Sequence, residues 1–410
     1  MRIFAPPPEL RGMPANVAGI LPLSALIDFT DAEQTLHSYQ LSGRGMLWNW
    51  VITPACARLL LSHDGIRACC LDQSGAVPTL NCLDGRWGDS YPCSSPSTIR
   101  ACVGVAVLRK LDLPLFNGGG DRPQRLRILL VSPAERKENS GLFGDRITKC
   151  GWYWAMVSLS GLVLFLAVLV ATVLTKLYIA TSYLTVLPLT GLVIRGSYGH
   201  RARRIAKLEP SPYRRLVVAT DNFNGDEWTA FIGPNWLVNP LLNKSLNQIN
   251  PPTHLRLLQW LLRILVAFQW GLTVIACGYQ DWNAFVVFGW IALCALTSSF
   301  VYGEHASAKS WLQSNGLRLE RKDVVLSCRR SMLSLLMALN PDRTAKTSTR
   351  WINPILAQSD DRDAWELALQ GCFKKEQWTE KIQECLVSGL LFHPRCQGLD
   401  TKHIFFLETY

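Results

Sequence analysis

The chain has no glycine-rich phosphate loop, no nucleophile elbow and no His-Glu-x-x-His pattern, so the common signatures of phosphate binding, serine hydrolysis and zinc proteolysis are missing. Charge is scarce where apolar residues concentrate: Trp152–Ile194 contains one charged side chain, Lys176. A cleavable leader is poorly marked, because Pro22 interrupts the apolar run Val17–Ile27 and no small-residue cleavage site follows it. Acid is also in deficit, leaving a formal charge of +11 over 410 residues.

What is present is apolar sequence in blocks. The chain is 49% hydrophobic, and these residues gather in Trp152–Ile194 and Leu257–Tyr302 with ordinary polar sequence on either side. Such blocks read as membrane spans rather than as a diffuse core. One helix through the first block would be about 65 Å long, roughly twice the hydrocarbon thickness. Two helices are therefore expected, Trp152–Leu174 and Leu177–Ile194, turning at Thr175-Lys176. Pro188 falls in the second of them, where neighbouring helices can satisfy the carbonyl it frees. The second block predicts helices Leu257–Gly278 and Trp282–Tyr302 around Tyr279-Gln280-Asp281. Arg263 lies under two turns from the start of the third helix and reads as snorkelling to the interface rather than as a ligand or ion-path residue.

The flanks set an orientation. Arg146 and Lys149 precede the first block; Arg195, Arg201, Arg203 and Arg204 follow it; Arg256 precedes the second, and Lys309, Arg318, Arg321 and Lys322 follow it. Between Arg195 and Arg256 stand nine basic residues against four acidic ones. By the positive-inside bias these flanks are cytosolic, which predicts a multi-pass protein of the plasma membrane or an endomembrane with both termini in the cytosol. The excess of base is then juxtamembrane, suited to anionic lipid and not to nucleic acid. Asn243-Lys244-Ser245 is the only N-glycosylation sequon, and in this orientation it stays unmodified. Six of the thirteen cysteines (Cys56, Cys69, Cys70, Cys82, Cys93 and Cys102) crowd the N-terminal region and are expected as reduced thiols.

Five regions follow. Residues 1–145 form an irregular, Cys-rich region with no sustained periodicity, read as disordered or not native, with short strands at Val103–Leu108 and Leu126–Val131. Residues 152–194 form the first transmembrane hairpin. Residues 195–256 are a basic cytosolic segment in which Arg215–Thr220 and Trp228–Ile232 flank Asn224-Gly225, a β-hairpin signature, followed by a helix at Val238–Ile249. Residues 257–302 form the second hairpin. Residues 303–410 are a cytosolic helical region, in which Val324, Val325, Cys328, Met332, Leu335, Leu336 and Leu339 recur at helical spacing. That amphipathic face suits either the membrane surface or another soluble element.

Candidate chemistry is sparse. Asp360, Asp361, Asp363 and Glu366 after Ser359 might be thought a cation or acid–base cluster, but they stand at a helix start, where capping and the helix dipole account for them. Cys385, His393, Cys396 and His403 lack the paired short spacings of a zinc site. His37, His63, His200, His254 and His305 are isolated. No catalytic, cofactor-binding or metal-ligating residue is assigned, and no cofactor is expected.

Arg215–Leu246, Arg329–Leu336 and Trp351–Leu369 resemble segments of uncharacterised fungal multi-pass membrane proteins, with an Ala-Thr…Trp…Gly…Leu-Leu-Asn-Lys stretch between span pairs and a Trp…Ile-Leu…Asp-Arg…Trp-Glu stretch after the last. The resemblance covers about residues 145–375 and implies membrane residence without implying an activity. The sequence therefore predicts an α-helical membrane protein. Four transmembrane helices form two hairpins, joined by a small cytosolic β-hairpin and helix segment and followed by a helical C-terminal region. Its expected role is non-enzymatic interaction or assembly, with the lipid bilayer as its one assignable partner. An oligomeric channel or small-molecule transporter is the first alternative, and a membrane-bound accessory enzyme of a fungal biosynthetic pathway the second.

Overall fold

A computed structural model describes residues 13–28, 32–43, 45–61, 78–108, 123–134, 149–198, 203–206, 208–244, 254–301, 304–326, 328–341 and 349–374. Helices α1 (Met13–Ala18), α2 (Leu21–Asp28), α3 (Ala32–Ser42) and α4 (Pro54–Leu61) come first. Strands β1 (Asn81–Asp84) and β2 (Ser90–Pro92), helix α5 (Pro96–Val105) and strands β3 (Val107–Leu108) and β4 (Gln124–Pro133) follow. The long helices α6 (Lys149–Leu174) and α7 (Tyr178–Tyr198) lead to β5 (Arg214–Thr220), β6 (Glu227–Pro234) and α8 (Asn235–Asn243). After α9 (Leu255–Tyr279), α10 (Trp282–Val301) and α11 (Glu304–Ser314) come β7 (Leu317–Leu326), α12 (Arg329–Leu339), a 3-10 turn at Arg350–Ile352 and α13 (Asp360–Lys374).

The chain divides into two units, each assembled from three stretches. Met1–Ala76, Glu135–Arg204 and Leu246–Asn315 make a helical unit; Val77–Ala134, Ile205–Ser245 and Gly316–Tyr410 make a sheet unit. This corrects the expected fold class. The sheet has seven strands in the order β2-β1-β5-β6-β4-β7-β3 and is mixed, with β4–β6 and β3–β7 parallel and the other pairs antiparallel. The β5–β6 hairpin expected from Asn224-Gly225 exists, but as the middle of this sheet rather than as a small free-standing segment.

Alternation along the strands explains how the sheet is buried. Leu83, Leu126, Ile128, Leu216, Val218, Trp228, Ala230, Ile232 and Val324 project to one face and form one cluster with Met332, Leu333, Leu335 and Leu336 of α12, with Trp351 and Ile352, and with Trp365 of α13. The intervening residues Leu129, Val217 and Phe231 are buried too, and α8 runs along β4, β5 and β6. Both faces are therefore covered. The apolar side of α12 is used by the sheet, and Val324 and Val325, read from sequence as its first turn, belong to β7.

In the helical unit the expected breaks fall where the backbone turns: Lys176 and Gln280 both adopt positive φ, 60° and 51°. Among the described residues three helices are long and apolar enough to cross a membrane, at Ala155–Leu174, Tyr178–Tyr198 and Leu255–Tyr279. The fourth expected span yields only a shorter apolar stretch, Trp282–Ser298, among the described residues. Of residues 1–145, the described parts supply α1–α4 to the helical unit and β1–β4 with α5 to the sheet unit.

Candidate functional site

The most constructed place in the helical unit is a stretch without regular secondary structure. Residues 45–53 join α3 to α4, yet Trp48, Trp50, Val51 and Ile52 are all buried. Trp48 packs against Trp290 and shares a cluster with Phe165, Tyr183 and Cys294. Trp50 stacks edge-on with Tyr39 at 5.5 Å and clusters with Ile194, Tyr198, Leu262 and Val266. Two glycines make the room: a Cβ on Gly161 would lie 2.0 Å from the Trp48 ring, and one on Gly191 would lie 2.5 Å from Trp50 and 2.8 Å from the Leu47 carbonyl.

An extended backbone inside apolar helices needs partners for its peptide groups. Gln269 of α9, 1% exposed, provides them. Its Oε1 accepts from the Ile52 N–H at 3.2 Å, while its Nε2 donates to the Trp50 carbonyl at 3.2 Å and to Thr190 Oγ1 at 2.8 Å. The Trp270 indole donates to the Ile52 carbonyl at 2.8 Å, and Asn49 Nδ2 donates to Ser298 Oγ at 3.0 Å. Asn283 plays a comparable part at the start of α10, where its Oδ1 accepts from the Ala180 N–H at 3.0 Å. These amides order backbone and neighbouring side chains, Asn283 Nδ2 also donating to the Asp281 carboxylate at 2.7 Å beside the turn before α10.

In the sheet unit the polar concentration lies at β1 and β2. Asp84, fully buried, pairs with Arg215 of β5, whose Nη1 also reaches Asn235 Oδ1 at 3.3 Å. The carboxylate accepts the Arg86 N–H at 2.9 Å as well, which fixes the β1–β2 turn. Beside this pair Cys82 and Cys93 share a side-chain hydrogen bond; that bond and burial push the Cys82 thiol far above its ordinary range. Burial, and then the neighbouring Cys82, raise Tyr91 likewise. A thiol kept neutral, as Cys82 is here, is a poor nucleophile and metal ligand.

The residues weighed from sequence fall as follows. Asp360, Asp361 and Asp363 are exposed, and Ser359 closes the first turn of α13, its carbonyl accepting from Asp363 N–H at 3.0 Å and its hydroxyl from Arg362 N–H at 3.3 Å. Glu366 turns inward to Arg362 at 2.6 Å and to Thr349 Oγ1 at 2.5 Å. Arg362, 3% exposed, further contacts Asn353 and the Leu356 carbonyl. The acidic group is thus a cap followed by a buried ion pair. Arg263 is exposed on α9. Among the described residues no three His, Cys, Asp or Glu side chains group as metal ligands; Cys385, His393, Cys396 and His403, with His63 and His200, lie outside the described residues. Sequence reasoning passed over Trp48, Trp50 and Gln269, although a glutamine in the middle of an apolar run was a signal of the same kind as Arg263.

Against known proteins, the chain matches no family model, no curated protein and no solved structure.

Proposed function

We propose that this is an integral membrane protein whose helical unit resides in the bilayer and whose sheet unit, on the cytosolic side, serves interaction or assembly rather than catalysis. The observation that carries this reading is the outer surface of the long helices. Leu159, Val163, Leu166, Val170 and Val173 of α6 and Leu257, Trp260, Ile264, Phe268 and Val274 of α9 are exposed, most of them more than half. Each large apolar side chain left in water forgoes about 1.5–3 kcal/mol, and a continuous surface of this kind calls for an apolar surrounding. Lipid meets that need along the whole length of a helix.

Chain connectivity supports a multi-pass arrangement. Strand β4 precedes α6 and β5 follows α7, yet both belong to one sheet. One sheet stays on one side of a bilayer, so the α6–α7 interval crosses an even number of times. The basic residues Arg195, Arg203, Arg204 and Arg256 near the helix ends favour the cytosol for that side, and Asn243 is then unglycosylated. The transporter reading draws on Arg263, but its side chain is exposed rather than turned inward. The enzyme reading loses its residues to the cap of α13.

Alkaline extraction of membranes containing the full chain tests the proposal. The protein is expected to stay in the pellet, and its release into the supernatant would overturn the reading. Glycosidase-sensitive mass that disappears in Asn243→Gln would place the sheet unit on the other side.

A further inference from the structure

Residues 13–53, which hydropathy does not mark as a span, have the placement of a membrane element within the helical unit. The two ends of that unit are identified by the chain itself. Helix α9 starts at Leu255, where the chain arrives from α8 of the sheet unit, and ends at Tyr279. Twenty-five residues of helix separate these ends by about 37 Å. Gln280 therefore marks the far end. Tyr198, after which the chain returns to β5, marks the near end.

The N-terminal stretch touches both. At the far end a Cβ on Gly19 would lie 3.0 Å from Gln280 Nε2, and the Cys277 thiol meets the Leu23 backbone. Ala25 then clusters with Leu272, Ala276 and Val287. At the near end Leu36 and Tyr39 cluster with Ile194, Tyr198 and Leu262, and the Gln40 carbonyl accepts from Arg203 N–H at 3.0 Å. Between Gly19 and Gln40 the chain passes from one end of the helices to the other. Its outward side chains are apolar: Val17, Ile20 and Leu23 are 38%, 69% and 44% exposed, while Ala18 and Ala25 face in and are fully buried.

The segment 45–53 follows from that near end. Gln269 is fourteen residues, or about 21 Å, along α9 from Leu255, so the stretch bonded to it reaches well into the unit and leaves again through α4. Non-helical backbone at membrane depth is tolerated where protein buries it, and Gly161, Gly191 and Gln269 do so here.

We infer that the described residues 13–28 and 32–43 form a lipid-embedded traverse followed by a re-entrant segment at 45–53, with acyl chains as the partner of Val17, Ile20 and Leu23, so that Asn16 and Arg204 lie on opposite sides of the bilayer. This rests on the bilayer residence proposed above and departs from the orientation expected from charge alone, in which both termini share the cytosol. The test uses the full chain in sealed vesicles and a membrane-impermeant maleimide, with the parent chain as background for native thiols. Asn16→Cys and Arg204→Cys replace exposed residues of the helical unit. One of the two is expected to label in intact vesicles and the other only after permeabilisation. Both labelling on the same side would overturn the traverse while leaving the helical unit in the bilayer. Release of the parent chain by alkali would instead remove bilayer residence, and this inference with it.

Discussion

Replacing Gln269 with leucine tests whether one amide holds the re-entrant segment. The side chain makes three buried hydrogen bonds, to Ile52 N–H, the Trp50 carbonyl and Thr190 Oγ1. Thr190 keeps its own bond to the Val186 carbonyl, so two backbone groups are left without a partner. A buried unpaired group costs about 1–3 kcal/mol, while interhelical polar contacts in membranes average about 0.6 kcal/mol each. Leucine recovers part of this by removing a buried amide, and a net loss of about 2 kcal/mol follows. That amounts to roughly a 30-fold rise in the population with the segment detached. Hydrogen exchange by mass spectrometry in nanodiscs reads it directly: peptides covering residues 45–53 should exchange roughly 30-fold faster while those covering Ala155–Leu174 keep their protection. Unchanged exchange at 45–53 would refute the assignment of Gln269 as the anchor, and a uniform increase everywhere would show that the segment does not open by itself.

Three further outcomes are expected in the sheet unit. Gly88 has φ of 78°, and a Cβ there would lie 2.8 Å from Trp351 Cα, so Gly88→Ala should lower stability by about 1–3 kcal/mol in denaturant titration. Arg362→Met strands Glu366 with its side chain 14% exposed and should cost about 3 kcal/mol, whereas Asp361→Ala and Asp363→Ala, at exposed positions, should stay within about 0.5 kcal/mol in the same assay. Cys82 has its thiol pKa raised in the fold above an ordinary value of 9.0. The unfolded chain alone therefore loses that proton as pH climbs past about 9, and stability should be level at neutral pH and fall above it. Cys82→Ala should flatten that alkaline slope.

The long helices α6, α7, α9 and α10 were legible because each depends on local composition, whereas α1–α4 lie in a region read as irregular. A long apolar run interrupted by Thr175-Lys176 or by Tyr279-Gln280-Asp281 admits few other readings, and the positive φ angles at Lys176 and Gln280 fall inside those interruptions. The hairpin was legible for the same reason: Asn224-Gly225 and the runs beside it are neighbours in sequence. The strand expected at Leu126–Val131 lies within β4, but the pairing of the rest of the sheet was not legible. Strand β4 takes both partners from far along the chain, with Leu126 opposite Trp228 on β6 and Val324 on β7, and no local pattern encodes such a pairing. In β7 the alternation of Leu317 and Leu319 is lost in the charged run Arg321-Lys322-Asp323. The valines that follow happen to lie in helical register with Met332 and Leu335, which is why they read as α12. The re-entrant segment was hidden for a different reason, since its signal is divided between two tryptophans in a polar flank and one glutamine among leucines.

The same long-range pairing ties the two units together in assembly. The strands come from three stretches of chain separated by the apolar intervals 135–204 and 246–315. During synthesis β4 appears before α6, but its parallel partner β6 follows α7 and its ten-residue antiparallel partner β7 follows α10 and α11. Until then Leu126 and Ile128 lack the strand neighbours that bury them, and closing loops of this length slows the pairing. Helix insertion, which needs only local apolar sequence, has no such delay. On the proposed bilayer residence, the order that keeps exposed apolar surface smallest is therefore insertion of α6, α7 and α9 first and closure of the sheet on β7 last. Under that proposal the closed sheet would hold both ends of the α6–α7 interval on one side of the bilayer, which gives the interval an even crossing number.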